Sequence, residues 1–91
     1  SVFVYEAIPH PDGGFVVAGI SNNGTLAQHA WIARVDLGPS PTIHWQQFFG
    51  TGIEHQDQGF FGLGRSDGGF VAAGFGGESY GEQRPAVAAV T

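Results

Sequence analysis

The sequence predicts an all-β chain built from two consecutive antiparallel units, and three observations carry that prediction. The first is an internal repeat. Asp12-Gly13-Gly14-Phe15-Val16-Val17-Ala18-Gly19 returns as Asp67-Gly68-Gly69-Phe70-Val71-Ala72-Ala73-Gly74, an offset of 55 positions. The match continues with Gln28 on Gln83, Ala33 on Ala88 and Val35 on Val90, and upstream with Tyr5 on Phe60 and Ile8 on Leu63. Self-similarity of this period marks stacked supersecondary units. The second is hydrophobic patterning: apolar residues come in short β-branched runs or in strict alternation, and no stretch shows the i, i+3, i+4, i+7 spacing of a helix. The third is glycine, at 16 of 91 residues, a density that disfavours helix interiors.

Each element follows from local chemistry. Residues 2–8 form the strand before the first Asp-Gly-Gly turn, where Gly supplies the positive φ that a tight turn demands. Residues 15–20 form the second strand. Residues 30–36 form the third, with Trp31, Ala33 and Val35 on one face and Ile32, Arg34 and Asp36 on the other. Gly38-Pro39-Ser40-Pro41 turns the chain into a fourth strand, 43–49, with Ile43, Trp45, Gln47 and Phe49 expected on a shared face. The second unit repeats the order: residues 58–63, the Asp67-Gly68-Gly69 turn, the run from Phe70, and a third strand ending the sequence. The units are thus 2–50, with four strands, and 57–91, with three. A four-stranded antiparallel meander of about fifty residues has the size of one β-propeller blade. A rival arrangement makes the two units halves of one closed, Gly-rich β-barrel.

The motifs also resemble a family. Many secreted or surface bacterial and archaeal proteins carry propeller repeats of the form D-G-G-[FY]-[IV]-V-A-G, then W-[ILV]-x-[KR]-[LV]-D, a Gly-containing turn, and W-x-x-x-[FY]-G. The first unit is similar through Asp12 to Gly19, Trp31 to Asp36, Gly38, and Trp45 to Gly50. The second keeps Asp67 to Gly74 but departs at Pro85-Ala86-Val87-Ala88-Ala89-Val90-Thr91, where the Trp, Arg and Asp are gone. The resemblance implies β-propeller blades and an extracellular or cell-surface location. It carries over no catalytic residue, because propellers host lectins, enzymes and plain scaffolds alike.

Composition excludes several functions. Three Arg, no Lys and eight acids give a net charge of −5. Arg34, Arg65 and Arg84 are scattered, whereas nucleic acid and anionic membrane surfaces require clustered cations, so neither is an expected partner. No apolar run approaches the ~20 residues of a membrane-spanning helix. Without cysteine there is no disulfide, thiolate metal site or cysteine nucleophile. Charged residues make up only 12% of the chain, well under the usual ~25%, which fits a surface partly covered by other protein. The sequence opens without Met and without a basic segment leading into an apolar run, so a processed chain or a piece of a longer one is expected.

Chemistry-bearing residues are sparse. His10, His29, His44 and His55 have no metal-ligand spacing and do not repeat, and Asp12 and Asp67 belong to turns. Neither a metal nor a cofactor is expected. Glu6, Glu54, Asp57 and Glu82 are the candidates for a glycosidase-type carboxylate pair, yet nothing holds two of them at a defined separation. A nucleophile elbow and a phosphate-binding P-loop are both lacking. Asn23-Gly24-Thr25 is a glycosylation sequon. Loops on a rigid scaffold are where binding concentrates; loops 21–29 and 76–84 correspond in the two units, and Gln28, His29, Tyr80, Glu82 and Arg84 are their candidate contact residues. Trp45, on the outer strand, joins them as an aromatic candidate, while Trp31 is expected to pack between units.

The expected function is therefore a non-enzymatic propeller scaffold or interaction module whose partners are further copies of itself, closing a ring, or other chains of one assembly. The physical reason is that each unit is apolar on both faces. Phe15, Val17, Phe70 and Ala72 point one way; Val16, Ala18, Val71 and Ala73 point the other. Two units cover only one pair of faces. A carbohydrate-binding lectin built as a ring of two-blade chains is the alternative from a different class, and a segment of a propeller enzyme with its catalytic residues elsewhere is a third.

Overall fold

A computed structural model describes residues 2–21, 29–49, 59–76 and 84–90. The chain is all-β. Its strands are β1 (Val2–Pro9), β2 (Phe15–Ser21), β3 (His29–Asp36), β4 (Thr42–Phe49), β5 (Gly59–Ser66), β6 (Gly69–Gly76) and β7 (Arg84–Val90). They form two antiparallel meanders, a four-stranded sheet ordered β1-β2-β3-β4 and a three-stranded sheet ordered β5-β6-β7. The single closed sheet of the barrel alternative is not formed among the described residues. Both faces of the first sheet are apolar, so β5 crosses its face, over β1, β2 and β3, instead of extending its edge.

The two Asp-Gly-Gly turns differ in length. In the second, Ser66 pairs with Gly69, leaving Asp67-Gly68 as a two-residue hairpin turn with Gly68 at φ 77°. In the first, Pro9 pairs with Phe15 across the longer loop His10 to Gly14. There, backbone hydrogen bonds run from His10 N–H to the Gly14 carbonyl and from Gly13 N–H to the His10 carbonyl. The Asp12 N–H donates to the His10 ring nitrogen Nδ1 at 3.0 Å.

This difference corrects the repeat alignment. The offset of 55 relates β2 to β6 and β3 to β7, but the first strands are related by 56. Pro9 corresponds to Arg65, Ile8 to Gly64 and Tyr5 to Phe61, as their pairings with equivalent positions of β2 and β6 show. One additional residue in the first turn takes up the slip.

Both first strands carry a β-bulge at the same place. Between Val4 and Glu6 the register skips Tyr5, and between Phe60 and Gly62 it skips Phe61. A third irregularity, between Arg34 and Val35 on β3, leaves His44 as the extra residue on β4. It also corrects the expected alternation of β4. Trp45 and Phe49 lie opposite Arg34 and Ala30, but Ile43 lies opposite Val35, so the bulge moves it to the other face.

The main core lies in the seam between the sheets. Val16, Ala18, Ala30 and Ile32 of the first sheet meet Phe60, Phe70 and Ala72 of the second, with Ile8, Trp45, Phe49 and Leu63 packed around them. Phe49 and Phe60 meet edge to face with centroids 5.4 Å apart. A smaller cluster of Val17, Trp31 and Ala33, joined by Phe15 and Val35, occupies the opposite face of the first sheet. There the Trp31 indole N–H donates to Gln46 Oε1 at 2.9 Å, satisfying the polar end of a side chain that is only 4% exposed.

Candidate interaction surface

The way the sheets meet defines a direction. The seam joins the Val16/Ala18 face of the first sheet to the Phe70/Ala72 face of the second. In the repeat, Phe70 and Ala72 correspond to Phe15 and Val17, which lie on the other face of the first sheet. The contact is thus head to tail: one kind of face meets the opposite kind. The second sheet consequently turns outward the face that is equivalent to the buried Val16/Ala18 face. Val16 and Ala18 are both 0% exposed; their counterparts Val71 and Ala73 are half-buried and exposed. Gly62 and Gly64 lie opposite Ala73 and Val71, which makes this outward surface flat as well as apolar.

Beside it lies an aromatic cluster built by the bulges. Tyr5 and Phe61, the two bulged residues, meet with centroids 4.8 Å apart, and Phe61 meets Phe75 at 6.1 Å. Their exposures are 50%, 44% and 46%. Phe3 and Val4 extend the exposed apolar surface along β1, the edge strand of its sheet. Isolated exposed apolar residues are ordinary; a contiguous group of exposed aromatics next to a flat apolar sheet face is uncommon on a surface left to solvent.

The residues singled out from the sequence fall elsewhere. Gln28, Tyr80 and Glu82 lie outside the described residues, as do the Asn23 sequon and His55. His29 opens β3 opposite Ser21, and Arg84 opens β7 opposite Gly76. They occupy equivalent register positions at the end of the sheets away from the Asp-Gly-Gly turns. Trp45 is half-buried against the seam, opposite Arg34. That is five residues along β3 from His29, or about 16 Å at the rise of a strand, so Trp45 and His29 do not form one site. Among the described residues no three His, Asp or Glu side chains converge as a metal site would require. Asp36 and His44 pair across β3 and β4 on the surface. Reasoning from the sequence missed Tyr5, Phe61 and Phe75, because the bulges that bring them together depend on strand pairing. Comparison with known proteins finds no matching family model, no matching curated protein and no matching solved structure.

Proposed function

We propose that this chain is a non-enzymatic scaffold or interaction module, a sector of a β-propeller-like assembly in which sheets stack face to face. The observation that carries the reading is the head-to-tail seam. A contact between unlike faces can be repeated at the open Val71/Ala73 end, and such repetition generates a ring where the rotation closes; at the other end Phe15 and Val35 are partly exposed, while Val17, Trp31 and Ala33 are buried. The occupant of the outward Val71/Ala73 face is then a sheet presenting a face of the Phe70/Ala72 kind, from another copy of this chain or from further repeats of the same assembly. Burial of each large apolar side chain on that face contributes about 1.5–3 kcal/mol, a substantial fraction of the about 5–15 kcal/mol by which domains are stable. The resemblance of the repeats to those of secreted propeller proteins supports an extracellular setting.

Native mass in solution tests this reading. Light scattering of the chain at micromolar concentration is expected to give a discrete trimer or tetramer, and Ala73→Glu, at an exposed position, is expected to abolish association while leaving the β-sheet circular dichroism intact. A compact, stable monomer across that concentration range refutes it.

A further inference from the structure

The two unequal turns border an open cleft of about 280 Å³, lined by His10 and Pro11 from the first turn and by Arg65, Ser66 and Phe70 from the second hairpin. Neither ring nor cation is part of the repeat pattern. Arg65 stands where the first unit has Pro9, and the His10-Pro11 segment carries the additional residue of the longer turn. Each is held in place. His10 is bound through its backbone at both ends of the loop and through Nδ1 to Asp12 N–H, and its ring lies against Phe70 with centroids 5.5 Å apart. Because Nδ1 accepts a hydrogen bond, the neutral ring carries its proton on Nε2 and has a donor to offer. Arg65 donates one N–H to the Pro9 carbonyl at 3.0 Å, which orients its guanidinium across the junction of the two sheets.

We infer that this cleft binds a small ring-bearing carboxylate, of the size and chemistry of a hexuronic acid. Its volume is at the lower limit of small-molecule sites, which run from ~300 Å³ upward, and suits a single ring. The planar guanidinium matches a carboxylate in two parallel hydrogen bonds. His10 and Pro11 supply walls for the ring, with Phe70, 5% exposed, packed behind His10. Arg65 is the one cation lining the cleft among the described residues, in a chain of net charge −5; that balance favours a monoanion over a phosphate dianion. The site lies wholly within one chain and does not depend on the assembly proposed above.

Backbone amide NMR of the 91-residue chain, titrated with glucuronate and separately with glucose, tests the inference. Saturable shifts confined to Gly68, Gly69, Phe70 and His10 with glucuronate, and none with glucose at equal concentration, are expected. Arg65→Gln is expected to weaken glucuronate binding about tenfold or more, and Arg65→Lys to weaken it less, since it keeps the charge and loses the bidentate fork. Arg65 is exposed, so both variants should fold, and an unchanged spectrum away from the cleft verifies that. Equal responses to the two sugars, no response to glucuronate, or undiminished binding by Arg65→Gln overturns the inference.

Discussion

Gly19 faces the backbone of Phe3 so closely that a Cβ at position 19 would overlap the Phe3 carbonyl oxygen, and Gly74 stands in the same relation to the carbonyl of Gly59. Both contacts lie beside the β-bulges at Tyr5 and Phe61. The closing glycine of each Asp-Gly-Gly repeat is therefore required by its neighbour strand: the bulge drives one carbonyl toward β2 or β6, and only a residue without a side chain fits there.

Gly19→Ala and Gly74→Ala should each destabilise the chain by about 1–3 kcal/mol, the range for forcing an added carbon into packed structure. Urea midpoints with unchanged m-values measure this. A loss well below that range in both variants would show that the bulge relaxes freely.

Ala72 and Ala73 are neighbours in sequence and opposite in environment, the first 0% exposed in the seam and the second on the outward face. Ala72→Leu should cost about 1–3 kcal/mol through overpacking. Ala73→Leu, melted below the concentration range of any association, should leave unfolding within about 0.5 kcal/mol. Parallel thermal melts decide it, and equal losses would place both residues inside a common core.

Gln46 accepts the hydrogen bond of a buried indole. Gln46→Ala should cost about 1–3 kcal/mol, because the Trp31 N–H then lacks its partner. Trp31→Phe with Gln46→Ala in one chain should show strong non-additivity, since removal of both polar groups leaves nothing unsatisfied. Denaturant titrations of the four chains give the coupling.

The Tyr5–Phe61 pair joins the two sheets at their bulges. A double-mutant cycle with Tyr5→Ala and Phe61→Ala should return a coupling of about 0.5–1.5 kcal/mol, the worth of an aromatic pair beyond its buried area. A coupling near zero would mean that each ring packs independently.

Much of this architecture was legible. Alternation along 30–36 separated Trp31, Ala33 and Val35 from Ile32 and Arg34, and the structure places the first group in one cluster and Ile32 in the seam. The assignment of Val16 and Ala18 to one face, and of Phe70 and Ala72 to the other, describes the two sides of that seam. What was not legible arises from partners remote in sequence. The bulges at Tyr5, Phe61 and His44 come from cross-strand pairing, and alternation within one strand carries no trace of them, so Ile43 lies on the face opposite to the one alternation predicts. The repeat alignment slipped in β1 because the shared Asp-Gly-Gly anchors fit without a gap while the residues before them do not. The cleft is not legible in the sequence because it exists only where turns from separate units meet, and nothing in the spacing of His10 and Arg65 pairs them.

The unlike faces of the seam have a consequence for stoichiometry. A contact that joins two identical patches is satisfied by a pair and stops there, whereas a contact between unlike faces has no dyad. In the assembly proposed above, the number of subunits would be decided by how far each sheet is rotated from the last. In such an assembly, tighter packing would lengthen its lifetime without altering its membership, and a small change in the twist of one sheet would alter its membership without changing a single contact residue.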